Sequence, residues 1–360
     1  MNKEFKDFQI GGLHIALPII QGGMGVRVST ASLVSAVSNE GALGVLAAVA
    51  LGEGDEDKEK DYTVRSSSAL KQSIRQTREL TKNPFGVNVM CALTNYADLV
   101  RVAEEESVDV IISGAGLPLK LPAMVKNKNT KLVPIVSSAR AANIICNMWQ
   151  KKFGRLPDAI VVEGPLAGGH LGYSRAELED KENFSLDIIL QKVLPVVHGF
   201  EKGSKKIPVI AAGGIFDGKD IARVIRLGAS AVQMATRFVC TNECDVSEEY
   251  KKAYLTVKKE DIVIIQSPVG LPGRVIRNEF VKRITNGERI DFGCTYQCLH
   301  TCDPKKVNYC IAKALISASR GQMDKGFAMC GSNAYRIKGI VSVKQLITEL
   351  VTEARACLLK

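Results

Sequence analysis

The chain has 360 residues, 46% hydrophobic and 24% charged, the composition of a folded globular protein with a sizeable core. Disordered, collagen-like and small disulfide-stapled classes are excluded. Its net charge of +10 is scattered among acidic neighbours, with local basic runs only at 202–206 and 251–259, which argues against a nucleic-acid surface and for small anionic ligands.

Met1 opens onto a charged segment, and the longest apolar run, 43–51, is about half the ~20 residues of a membrane span. A cytoplasmic protein without a membrane partner is expected. Its ten cysteines are then expected to be reduced thiols, metal ligands or catalytic groups rather than structural bridges.

In chain order, short apolar or β-branched runs occur at 18–21, 43–48, 85–90, 108–113, 132–137, 159–163, 208–212 and 231–234. Between them lie stretches of helical period at 31–37, 69–80, 96–105, 139–151 and 219–227. Strands that read as continuous apolar runs are covered on both faces, as in a parallel sheet wrapped by helices. Eight such units predict a TIM (β/α)8 barrel over residues 1–240; a doubly wound sheet with a second domain is the alternative. Residues 241–360 lose this rhythm and are expected to form a mainly helical cap and C-terminal extension, with helices at 247–258, 308–320 and 343–354. Two intervals between strands are long, and the extra chain at 52–61 and 170–206 suggests lids over a barrel mouth.

Several strand ends carry chemistry. Gln21-Gly-Gly-Met24 lets a flat ring lie against backbone, with Met24 as a soft contact. Asn88 and Ser137 place polar groups at the mouth. Glu163-Gly-Pro-Leu-Ala-Gly-Gly-His170 joins a carboxylate at a strand end to a flexible segment presenting an imidazole, a candidate general base or donor to an anion. The other histidines, His14, His198 and His300, read as structural. Gly213 and Gly214 let backbone amides approach a phosphate, the following helix start adds its dipole, and Thr236 and Arg237 face the same anion after the eighth strand.

Taken together, these motifs resemble the nitronate monooxygenase family, formerly 2-nitropropane dioxygenases, which includes FMN-dependent enoyl-ACP reductases. The resemblance runs over about residues 8–240 and continues more weakly through 268–274 and 331–333. It implies an FMN-dependent oxidoreductase that oxidises alkyl nitronates with O2. By the same resemblance Gly213, Gly214 and Thr236 surround the FMN phosphate, with Gln233, Met234 and Ala235 alongside, and Gly23, Met24 and Asn88 touch the isoalloxazine. Ser137, Glu163 and Gly169 complete the flavin site, and His170 is the active-site histidine, as base or as donor to the substrate anion. Ala235 stands where the family usually has glycine, and Cys330-Gly-Ser-Asn333 departs from the family's Ala-Gly-Gln. An NAD(P)H-dependent enoyl-ACP reductase is the alternative on the same fold, and a non-catalytic phosphate-ligand binder is a distant third. The partner is a small molecule, with room for a homodimer.

Cys294, Cys298, Cys302 and Cys310 could hold an iron–sulfur cluster or a structural zinc. Their spacing fits neither common pattern, and packing thiols are the favoured reading; in a helix, 294, 298 and 302 would lie on one buried stripe.

Overall fold

The computed structural model describes residues 5, 7–52, 61–201, 203, 206–294 and 296–359. Most of the expected lid at 52–61, and Lys202 and Lys205 of the first basic run, lie outside them.

All eight strands read from the sequence are present. They are β1 (Ile19–Gln21), β2 (Leu43–Ala47), β3 (Phe85–Met90), β4 (Val110–Gly114), β5 (Lys131–Val136), β6 (Ile160–Glu163), β7 (Val209–Ala212) and β8 (Ala231–Met234). They pair in parallel and in chain order, and β8 pairs with β1 to close the barrel. The strands lack alternation because both faces are covered; every residue of β2 and β4 is buried. Inside, Ile20, Val45, Ile112, Val133, Val161 and Ile210 form one apolar plug. Phe8, Ile10 and Ile15 of the hairpin Phe8–Ile10/Leu13–Ile15 join that plug, closing the barrel at the amino-terminal ends of its strands.

Local signals set the helix limits. Helix Ala139–Phe153 starts where the Ser138 side chain accepts from the Ala141 amide and ends at Gly154, whose φ is +60°. It buries Ala142, Ile145, Cys146 and Trp149, the i, i+3, i+4, i+7 stripe of an amphipathic helix. The extra chain after β6 is more than a lid: it holds the two-residue strand Gly169–His170, the short helix Arg175–Glu179 and the wall helix Leu186–His198.

Beyond β8 the expected helices occur as Glu248–Thr256, Ile311–Ser319 and Val343–Leu358. The last packs along Gly218–Leu227 on the barrel wall. Among them is an antiparallel pair, Ile262–Gln266 with Pro272–Ile276, which the helical reading missed. Its second strand pairs with Gly169–His170, with Gly273 opposite His170.

The described residues of 294–302 do not form a helix. This segment is irregular because its backbone bonds go elsewhere: the Cys298 carbonyl accepts from the Thr94 amide at 3.1 Å, and the His300 amide donates to the Ala92 carbonyl at 3.0 Å. Cys294 is exposed, while Cys298, Cys302 and Cys310 are half-buried, so there is no single packed stripe. Among the described residues no three His, Cys, Asp or Glu side chains are grouped so as to hold a metal ion, and no helix is long and apolar enough to cross a membrane.

Candidate active site

The carboxyl ends of the barrel strands and the cap enclose a cavity of about 770 Å3, within the ~300–1,000 Å3 typical of small-molecule sites. Gly23, Met24, Asn88, Ser137, Glu163, Gly169, His170, Gly213, Gly214, Gln233, Met234, Ala235 and Thr236 all line it. Residues up to 213 positions apart in sequence meet here because a barrel gathers the ends of all its strands at one face.

At β1 the buried Gln21 side chain organises the turn, donating to Ser29 Oγ at 2.8 Å and accepting from the Val45 amide at 3.2 Å. Ser29 Oγ also accepts from the Met24 amide at 2.8 Å. Gly23 lies so close to Asn88 that a Cβ would come within 2.6 Å of the Asn88 Cβ, so the ribbon stays flat against the mouth. After β7, Gly213 and Gly214 adopt φ of +89° and +80°, a conformation that favours glycine.

Two features expected at the anion site are directed elsewhere. The helix Gly218–Leu227 has its start occupied by carboxylates: Asp217 accepts from the Asp220 amide at 3.0 Å, and Glu353 from the Gly218 amide at 2.8 Å. Arg237 does not line the cavity; its guanidinium stacks over Phe216 and pairs with Glu349 at 3.1 Å. In their place the cap supplies the turn at 331–333. The Gly331 amide donates to Thr236 Oγ1 at 2.9 Å, and Asn333 Nδ2 donates to the Gly214 carbonyl at 2.8 Å. Ser332, doubtful by resemblance, lines the cavity.

Two polar atoms at this wall, Gln233 Oε1 and Ser332 Oγ, are buried without a hydrogen-bond partner. Buried polar atoms in a folded protein are rarely left so. With the glycine pair beside them, they suit a polar ligand carrying donors and an anionic end, as FMN does.

Residues 6–353 match the nitronate monooxygenase family. The chain belongs to that family. It is accordingly an FMN-dependent oxidoreductase. Among nitronate monooxygenase family relatives, a probable nitronate monooxygenase of Staphylococcus aureus (strain Newman) is 30% identical over 77% of this chain and 79% of its own length. A (3aS,4S,5R,7aS)-5-hydroxy-7a-methyl-1-oxo-octahydro-1H-indene-4-carboxyl-CoA dehydrogenase of Mycobacterium tuberculosis is 31% identical, over 77% of this chain and 68% of that enzyme. FabK from Thermotoga maritima superposes with a TM-score of 0.74 at 31% identity, covering 95% of this chain and 94% of FabK. The nitroalkane oxidase of Streptomyces ansochromogenes, 23% identical with a TM-score of 0.74 over 96% of this chain and 98% of its own, shares the fold.

Burial sets the electrostatics of this family member's mouth. It pushes the Glu163 carboxyl up to about 7, against the opposing pull of the Arg274 guanidinium. It lowers His170 to about 4, so the ring is neutral at physiological pH. Tyr173 donates to the Glu163 carbonyl at 2.5 Å, anchoring the end of β6, and Arg274 donates to the Ala167 carbonyl. His170 Nε2 stands 2.8 Å from Ser267 Oγ.

Ser267 and Tyr173 were missed by sequence reasoning, and Arg274, at the end of the 268–274 stretch, was given no role. The signal nearest to hand was the run Ile262-Val-Ile-Ile-Gln266 followed by the proline and glycine turn at 268–273, a hairpin pattern.

Proposed function

We propose that this chain oxidises alkyl nitronates, with FMN held between the strand ends and the 331–333 turn. What carries this reading is His170, a half-buried, neutral imidazole that lines a cavity which also holds unpartnered polar atoms beside a glycine cradle. Bound FMN supplies the electron acceptor and its subsequent reaction with O2. The chain's own residues bind and orient. Thr236 Oγ1 accepts from the Gly331 amide, which leaves the hydroxyl proton for the FMN phosphate. The Gly213–Gly214 backbone allows close approach, and Gln233 and Ser332 provide for the remaining polar edge. Gly23, Met24 and Asn88 face the ring, with Ser137, Glu163 and Gly169 closing the site.

A substrate that arrives as a nitronate anion already lacks the α-proton, so a ring that resists protonation down to about pH 4 serves it by hydrogen bonding. In this proposal residues 1–240 form the barrel domain and 241–360 the cap and extension.

A second reading, reduction of an enoyl thioester by NAD(P)H, is favoured by one observation. Leu93, Leu299, Ile311, Ala312 and Leu315 give the cavity an apolar side formed largely by the cap, which suits an acyl chain. Anaerobic stopped-flow mixing of the FMN-loaded protein with a nitronate, NADH or NADPH separates the two. Flavin bleaching by nitronate supports the first; bleaching by NAD(P)H alone, with reoxidation by a crotonyl thioester, replaces it with the second.

A further inference from the structure

His170 is held twice by the same cap hairpin. Its backbone pairs with Gly273, and its Nε2 meets the hydroxyl of Ser267 at 2.8 Å. Ser267 is 3% exposed and lies in the turn between the two hairpin strands, where its amide donates to the Leu271 carbonyl and its carbonyl accepts from the Gly270 amide.

The direction of the His170–Ser267 bond follows from counting protons. A serine hydroxyl has one proton and two lone pairs. One lone pair of Ser267 Oγ already accepts from the Val269 amide at 3.2 Å. The hydroxyl proton, sealed from solvent, has a single acceptor among the described residues, His170 Nε2. If Nε2 instead donated to Oγ, that buried proton would be left without a partner, an arrangement folded proteins avoid. A neutral imidazole whose Nε2 accepts carries its proton on Nδ1. No protein group among the described residues bonds to Nδ1, and the ring lines the cavity.

We infer that Ser267 is a positioning residue that holds His170 in the Nδ1–H tautomer, so that the ring offers the substrate's anionic oxygen a donor and not a base. This rests on the reading of the cavity as a site for an anionic substrate, and it decides between the two roles open to His170. Replacing the hydroxyl removes the preference, because Nε2 is then free to take the proton and withdraw it from the cavity side.

The chain has four histidines, few enough for long-range 15N–1H correlation spectra of the FMN-loaded, 15N-histidine-labelled enzyme, with His170 assigned by its loss in His170→Asn. At pH 7.5 the expected spectrum is a neutral ring protonated on Nδ1. Ser267→Ala should move the proton wholly or partly to Nε2 and lower kcat/KM for a nitronate about tenfold at unchanged FMN content, the scale of one hydrogen bond. Ser267→Thr should restore both. A wild-type ring protonated on Nε2 or doubly protonated overturns the inference, as does a tautomer indifferent to Ser267→Ala. Should that variant fail to fold, the wild-type spectrum decides. Since the spectrum needs no substrate, an Nδ1–H ring in an enzyme that ignores nitronates refutes the substrate reading alone.

Discussion

The Arg274 guanidinium pulls the Glu163 carboxyl toward ionisation from within the cap, and burial outweighs that pull, leaving the acid at about 7 instead of its ordinary 4.5. A carboxyl with a raised folded pKa binds protons more tightly in the native state. Its contribution is therefore fully present below about 4.5 and is lost as pH rises through about 7. Above that, an ionised carboxylate in the cavity costs about 3 kcal/mol. Glu163→Gln should raise the Tm of the flavin-free protein at pH 8 and change it little at pH 5, as read by calorimetry. An equal shift at both values would contradict the assignment.

His170 has the opposite linkage. Its pKa falls from 6.5 to about 4, so its contribution to stability is present above 6.5 and is lost as pH drops through about 4. Between pH 6 and 8 the logarithm of kcat/KM should show no inflection from His170. Any inflection near 7 should disappear in Glu163→Gln. His170→Ala should keep its FMN, measured by absorbance, and lose roughly 10²-fold in kcat, the scale of one lost donor to a reacting anion; a variant as active as the parent would remove His170 from the mechanism.

The glycine cradle predicts a loss of cofactor rather than of chemistry. A Cβ on Gly214 would stand 2.9 Å from the Leu166 Cβ at a φ of +80°. Gly214→Ala should therefore weaken FMN binding about tenfold, about 1.4 kcal/mol. Ser332→Ala removes an unpartnered buried hydroxyl and should leave the flavin-free Tm unchanged or slightly higher, while FMN affinity falls. Fluorescence titration of FMN reads both.

Ala312, on the apolar side of the cavity, separates small substrates from large. Ala312→Phe should leave turnover of a short nitronate within about twofold and reduce use of a medium-chain enoyl thioester by tenfold or more, since overpacking costs about 1–3 kcal/mol. Equal losses for both substrates would mean that this wall does not select by chain length.

Much of the barrel was legible because its signals are local. Each strand is a short β-branched run, and each following helix shows its period within about three turns. Ser138 and Gly154 mark a helix start and stop that any reader of caps can find. The mouth residues were legible for a related reason: the barrel places strand ends together, so Gly213, Gln233 and His170 could be grouped from their positions after strands alone. The Cys294–Cys302 segment misled, because equal spacing of four imitates a helical stripe, while the backbone of this stretch bonds to residues 92–94.

The amino-acid sequence by itself determined the barrel, the glycine turns and most of the side chains that stand at the mouth, since period, turn chemistry and strand order act over a few residues. Only the tertiary structure decided what those side chains can do. The hydroxyl of Ser267 reaches His170 across 97 positions, Glu349 and Phe216 draw Arg237 away from the anion site, and Glu353 occupies the helix start meant for a phosphate. Protonation, hydrogen-bond direction and partner choice depend on burial and on distances of about 3 Å, and no local pattern in the chain encodes them.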